Sequence, residues 1–292
     1  MHHPDAVLAL LDLAPSGRVD AVRLVDPDAP ALHALDLAAT RGDGVFETIS
    51  IGRGHPQALR PHLTRLASSA AMLDLPAPDL DGWREVVQRV ADALGGHEEA
   101  WVKIVLSRGV DGGDRPTGWA WGEPSADFSV ARTEGIRVAL LDRGYRSDVA
   151  RTSPWLLAGA KTLSYATNMA ARREAVRRGA DDALFVSTDG LVLEGPTANL
   201  VVRLDGVLAT PRTDVGILPG TTQADLFRWA AGQGIPTRLA SISPQDLQRA
   251  DAAWMVSSVR HAAPVRAIDD RAVPVDAELS AAMNAYLSGR TE

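Results

Sequence analysis

Two periods organise the apolar positions of this chain. Residues 45–51 form a β-branched run and residues 101–106 a continuous apolar run, so both predict strands, the second of the buried kind. Residues 18–25 alternate roughly and predict another. Elsewhere the period lengthens to that of a helix. Leu63, Leu66, Ala67 and Ala70 place an apolar stripe on a helix over 61–73, and a second helix over 80–94 stops at Gly95-Gly96. Residues 109–122, rich in Gly, Asp and Pro, predict a mobile loop, and 128–131 closes a first unit. From Gly135 a second series predicts strands over 136–141, 183–186, 191–193, 200–202, 254–256 and 264–268. It also predicts helices over 168–178, ending at Gly179, and over 218–231, with Thr221 and Thr222 in the first turn. Strands interleaved with helices predict a mixed α/β (α+β) fold in two domains, 1–133 and 134–292, without internal repeats.

The composition narrows the chemistry. With 292 residues, 46% of them hydrophobic, the chain is long enough for a sizeable core. It has no cysteine, which excludes disulfides, thiolate metal sites, iron–sulfur clusters and a thiol nucleophile, and no metal is expected. The net charge of −7 argues against a nucleic-acid or anionic-membrane surface. No window is apolar enough to span a bilayer, and the first residues carry no basic leader, so a cytoplasmic location is expected. Of the 30 basic residues, only Lys103 and Lys161 are lysines. Arginine stays protonated, whereas lysine can be tuned toward a neutral, nucleophilic amine, so these two become candidates for amine chemistry.

Four local patterns could carry that chemistry. Lys161 stands in Leu157-Ala158-Gly159-Ala160-Lys161-Thr162-Leu163, where desolvation favours a neutral amine, although a partly buried lysine with its head in solvent fits equally. Glu194 ends an apolar stretch and needs a positive partner if buried, such as a protonated pyridine nitrogen; a solvated turn glutamate is the alternative. Gly216-Ile217-Leu218-Pro219-Gly220-Thr221-Thr222 runs from a turn into a helix, an anion-binding arrangement without the P-loop lysine. His62 and Arg65 lie three apart on one helix, from which Arg65 would reach a phosphate bidentately or lie on a solvated face.

Taken in order, these segments resemble the class IV pyridoxal-phosphate enzymes, which include branched-chain aminotransferases, D-amino-acid aminotransferases and 4-amino-4-deoxychorismate lyases. The motifs are Arg41-Gly42-Asp43-Gly44-Val45-Phe46-Glu47-Thr48-Ile49, His62-x-x-Arg65-Leu66, Lys161 with Tyr165, Glu194-Gly195-x-x-x-Asn199, and Gly216–Thr222. The resemblance implies a two-domain fold-type IV enzyme, with a small N-terminal domain, a larger C-terminal domain carrying the Schiff-base lysine, and pyridoxal 5'-phosphate in the cleft between them. It implies Lys161 as the Schiff-base lysine and proton shuttle, Glu194 on the pyridine nitrogen, and Arg65, Thr221, Thr222 and Ser258 on the phosphate. Thr197 and Tyr165 would lie near the cofactor. It also implies a homodimer acting on a small molecule.

Within the family, Phe46-Glu47-Thr48-Ile49 and Lys103-Ile104-Val105-Leu106-Ser107-Arg108-Gly109 are similar to the lyase versions of their motifs. On that likeness Thr48, Lys103 and Arg108 would meet the substrate, the two basic residues at its carboxylates. The implied activity is aminodeoxychorismate lyase, which eliminates pyruvate to give 4-aminobenzoate for folate biosynthesis. A D-amino-acid or branched-chain aminotransferase is the alternative, in which Arg115, Arg260 or His261 would take an α-carboxylate. A pyridoxal-phosphate-binding homologue without turnover is the non-enzymatic reading.

Overall fold

In the computed structural model, which describes His3 and residues 5–291, the chain packs as two units. The first comprises Met1–Ala126, Ala160–Tyr165 and Arg290–Glu292, the second Asp127–Gly159 and Ala166–Gly289. The division differs from the expected one in three places, one of them the C-terminal segment from Arg290, which joins the first unit. The first long segment ends at Ala126, before residue 133, and the short segment carrying Lys161 packs with the first unit.

The first unit is built on strands β1 (Val7–Leu13), β2 (Val19–Val25), β3 (Gly44–Gly52), β4 (His55–Pro56), β5 (Glu99–Ser107) and β6 (Thr117–Pro124). They form one antiparallel sheet in the order β2-β1-β6-β5-β3-β4. Helix α1 (Leu37–Arg41) is capped by Asp36, and α2 (Leu59–Met72) and α3 (Leu80–Leu94) cover one face of the sheet. On α3 the positions Trp83, Val86, Val87, Val90 and Leu94 are all buried, the stripe its 3.6 period requires. Along β3 the period is two: Val45, Glu47, Ile49 and Ile51 are buried, while Phe46 and Thr48 are half-buried on the opposite face.

Strand β6 takes the second part of the loop expected over 109–122, from Thr117 onward, while residues 109–116 form a loop with a single bridge at Val110. The glycines of β6 alternate with Trp119 and Trp121 and bring the strand close to its neighbours. A Cβ at Gly118 would stand 2.8 Å from Leu13 Cδ1, and one at Gly122 would stand 2.6 Å from Val90 Cγ1 on α3. These glycines serve close packing, which composition alone reads as a loop. Strand β1 fills an apolar stretch to which the periodicity assigned no element.

The second unit contains β7 (Ile136–Asp142), β8 (Asp182–Val186), β9 (Asn199–Leu204), β10 (Val207–Pro211), β11 (Thr237–Ala240), β12 (Ala252–Ser257), β13 (His261–Ile268) and β14 (Arg271–Ala272). The sheet runs β11-β10-β9-β12-β13-β7-β8, with β14 beside β13. It is parallel at β10–β11, β13–β7 and β7–β8 and antiparallel elsewhere. Its helices are α4 (Ser129–Thr133), α5 (Val149–Thr152), α6 (Ala166–Arg177), α7 (Thr221–Gly232), α8 (Pro244–Gln248) and α9 (Ala277–Ser288). Alternation along β9 and β12 feeds two cores. Val201, Trp254 and Val256 meet Leu226 of α7 and Met283 and Leu287 of α9, while Leu200, Val202 and Met255 meet Leu247 of α8. Residues 128–131 belong here, largely as α4, whose Arg132 donates to the carbonyls of Val259 and Arg260. Residues 191–193 form no strand beyond a Val186–Val192 bridge, since the chain turns directly into the segment of Glu194. Helix α7 starts at Thr221 rather than at 218, because Gly220 is extended (φ −72, ψ 124) and serves as its N-cap.

Candidate active site

Lys161 sits on a strap pinned by backbone bonds. Phe46 N–H on β3 donates to Lys161 O at 3.1 Å, Leu163 N–H donates to Gly44 O at 2.8 Å, and Lys161 N–H donates to Ser69 Oγ of α2 at 3.1 Å. Gly44 permits the approach, since a Cβ there would stand 2.7 Å from Leu163 Cδ1 and 2.8 Å from Leu106 O. The half-buried side chain places Nζ 4.3 Å from the centroid of the Phe46 ring and 5.6 Å from that of Tyr165. The two rings meet edge to face at 5.2 Å.

Lys103 shares that surface. On β5 it pairs with Thr48 of β3 on one side and Trp121 of β6 on the other. Its Nζ lies 5.8 Å from the centroid of Phe46 and 5.4 Å from that of Trp101. Burial and the charge of Lys161 depress its pKa, against a smaller opposing pull from Glu123. Arg108 does not join them. Its guanidinium is held by Asp43 (Nε to Oδ2, 2.7 Å) and by the carbonyls of Leu73 (2.6 Å) and Asp74 (3.3 Å). Those contacts tie loops together and engage the donors that a substrate carboxylate would need.

Behind this face, Arg65 is clamped rather than solvated. Its Nε and Nη2 donate to the two oxygens of Glu47, each at 2.7 Å, and His62 Nδ1 lies 2.7 Å from Glu47 Oε2. Glu47 is fully buried, and the Arg65 side chain is only 12% exposed. Burial alone would raise the Glu47 pKa, but the charge and hydrogen bonds of Arg65, with help from His62, bring it down to about 2. Burial lowers the pKa of His62 by more than Glu47 restores, so the ring is neutral at pH 7 and Nδ1–H donates to the carboxylate.

The second unit carries the remaining expected residues. Glu194 Oε2 accepts from Asn199 Nδ2 and Oε1 from Leu218 N–H, each at 3.0 Å. Thr221 and Thr222 are buried in the first turn of α7, and Thr222 Oγ1 lies 3.5 Å from Ser258 Oγ. Backbone N–H groups at the start of a 12-residue helix, flanked by hydroxyls, suit an anion. Thr197 is exposed in the turn that precedes β9. Arg260 donates from Nη2 to the buried Asp182 at 2.7 Å, and Arg115 is exposed. Asn199, Phe46, Glu47 and Ser69 were not singled out from sequence, although the first three lie within the quoted motifs. The signal available was a glutamate at a buried position of an apolar strand, with His62 and Arg65 three apart downstream.

Residues 44–268 match the model of the amino-transferase class IV family. The chain belongs to that family. As a class IV aminotransferase it is 42% identical to a bifunctional aminodeoxychorismate lyase / D-amino acid transaminase of Mycobacterium tuberculosis, over 86% of this chain and 90% of the relative. It superposes on a fold IV-transaminase of Curtobacterium pusillum with a TM-score of 0.94, 54% identity and 98% of each chain covered. The PLP-bound form of a hypothetical aminotransferase from M. tuberculosis gives a TM-score of 0.88 at 39% identity, over 96% of this chain and 98% of that one. The mixed α/β architecture with two sheets is therefore that of the fold-type IV enzymes. This is a family of pyridoxal-phosphate enzymes, and the group types that cofactor requires are present: an amine beside aromatic rings, a carboxylate with both oxygens hydrogen-bonded, and a helix N-terminus lined by hydroxyls.

Proposed function

We propose that this enzyme is a pyridoxal 5'-phosphate-dependent 4-amino-4-deoxychorismate lyase. Lys161 is the amine that attaches the cofactor, Glu194 faces its ring nitrogen, and Arg65, Thr221, Thr222 and Ser258 hold its phosphate, with Tyr165 and Thr197 beside it. Bound there, the cofactor supplies an electron sink for the carbon next to the substrate's amine. The observation that carries the lyase reading is the presence of both lysines against the ring of Phe46. Lys161 serves the amine end of a substrate, and Lys103, framed by Thr48, Trp101 and Trp121, suits a carboxylate at the far end. Aminodeoxychorismate offers an amine and two carboxylates. In the reaction Lys161 takes the proton from the ring carbon bearing the amine, the neighbouring carbon–oxygen bond breaks, and pyruvate leaves as its enol. The ring that remains is 4-aminobenzoate, and its aromatisation drives the step.

A second reading, D-amino-acid transamination at the same residues, is favoured by the two activities in the name of the M. tuberculosis relative. Both use Lys161 as the proton shuttle. The test supplies aminodeoxychorismate and, separately, D-alanine or L-leucine with 2-oxoglutarate. Formation of 4-aminobenzoate supports the lyase; its absence beside rapid keto-acid formation replaces that reading with transamination. The homodimer belongs to the same proposal. Trp155 and Leu156 in the second unit are 72% and 54% exposed, suitable for burial against a second copy, and sedimentation in solution reads the mass.

A further inference from the structure

Three hydrogen bonds close a ring at the tip of Glu194. Asn199 Nδ2 donates to Glu194 Oε2 at 3.0 Å and to Leu218 O at 2.9 Å, while Leu218 N–H donates to Glu194 Oε1 at 3.0 Å. The amide nitrogen carries two hydrogens, and the two acceptors engage both. Asn199 is the first residue of β9 and only 8% exposed, so its position is set by the sheet. The chain leaving Leu218 reaches Gly220, the N-cap of α7. There the backbone passes so close that a Cβ on Gly220 would stand 2.0 Å from Asn199 Oδ1. One side chain therefore touches the carboxylate and both ends of the short turn that delivers the N-terminus of α7.

We propose that Asn199 is a positioning residue that couples the ring-nitrogen end of the cofactor site to its phosphate end. The inference rests on the reading of Glu194 and of Thr221–Thr222 as cofactor contacts. Through Nδ2 the amide orients the Glu194 carboxylate, and through Leu218 and Gly220 it sets the turn that aims the helix N-terminus. A shift of the amide moves both ends together, because one nitrogen serves the carboxylate and the turn at once. An aspartate cannot substitute, since its oxygen would replace a donor with an acceptor facing Glu194.

The test compares Asn199→Ala with Glu194→Gln and Thr222→Ala, using binding of pyridoxal phosphate and of pyridoxal, which lacks the phosphate. The pH at which the bound cofactor's absorbance changes is followed in parallel, with Tm as a control. Glu194→Gln should move the absorbance profile and leave the preference for pyridoxal phosphate over pyridoxal intact. Thr222→Ala should reduce that preference and leave the profile in place. Asn199→Ala should do both, with at least a tenfold loss of pyridoxal phosphate affinity. Gly220→Ala presses on the same amide from the other side and should reproduce the double effect if Asn199→Ala does not fold. A lower Tm with the profile and the preference unchanged overturns the proposal, as does a change confined to one end. If Glu194→Gln leaves the profile unmoved, the underlying reading of Glu194 fails first, and the coupling falls with it.

Discussion

Lys103 and Lys161, the only lysines in the chain, both face the ring of Phe46, with Nζ atoms 5.8 and 4.3 Å from its centroid. They arrive by different routes, one along β5 and the other on a strap bonded to β3, so the pairing is a product of the fold and not of sequence proximity. Burial first, and the neighbouring charge of Lys161 second, hold the pKa of Lys103 below its ordinary value.

Lys161→Ala should abolish cofactor retention through dialysis, and Lys161→Arg should be equally inactive, because a guanidinium stays protonated and cannot attach the aldehyde. The check is the visible absorbance of the dialysed protein and its bleaching by borohydride. Retained colour that borohydride bleaches would place the attachment at Lys103.

Lys103→Gln should raise KM for a substrate with a distal carboxylate by about ten- to a hundredfold, the value of a hydrogen bond to a charged group of roughly 1.5–3 kcal/mol. Its effect on kcat should be smaller, and Lys103→Arg should recover part of the loss. D-alanine has no second carboxylate, so its KM should stay within about threefold of wild type, well below the effect of that charged bond. Equal increases for both substrates would remove Lys103 from carboxylate recognition. Arg108→Gln, by contrast, should lower Tm without separating the two substrates, because its partners are Asp43 and the carbonyls of Leu73 and Asp74.

Sequence was most informative where one period dominated. The stripe of α3 and the β-branched run of β3 appear within one or two residues of their expected limits, because burial on one side fixes the pattern. It was least informative where a residue type serves two purposes. Gly118 and Gly122 mark a turn in most contexts, yet here they let β6 lie against Leu13 and Val90. For the proposed site, Lys161, Glu194 and Thr221–Thr222 could be nominated from sequence because their types and order are those that pyridoxal-phosphate chemistry would demand. Arg65 and Arg108 were harder, since an arginine's partner is chosen by the fold. One proved clamped by Glu47 and the other by Asp43.

The tight packing of β6 on α3 gives a stability prediction independent of the chemistry. Gly122→Ala places a methyl group 2.6 Å from Val90 Cγ1 and 2.9 Å from Leu94 Cδ1, inside the core of the first unit. Overpacking of this kind costs about 1–3 kcal/mol. The denaturation midpoint should fall accordingly, while Gly96→Ala, with nothing within 4 Å of its Cβ, should leave it within about 0.5 kcal/mol.

The Glu47–Arg65–His62 cluster should make the protein sensitive to acid. Glu47 has a folded pKa of about 2 against an ordinary value of 4.5, so its ionised form stabilises the fold at all pH values above 4.5. That contribution is lost as pH falls from 4.5 toward 2, because the unfolded carboxylate takes up a proton first. His62 acts in the same direction. Its folded pKa is lowered from 6.5, so below pH 6.5 the unfolded imidazole gains a proton that the buried ring resists. Stability should therefore decline from about pH 6.5 downward and more steeply below 4.5. Glu47→Ala should cost about 3–5 kcal/mol at pH 7, since it strands the charge of Arg65 in a mostly buried position. The same substitution should flatten the acid limb of the stability curve, measured by urea denaturation between pH 3 and 8. An acid limb as steep in Glu47→Ala as in wild type would assign the sensitivity to other carboxylates.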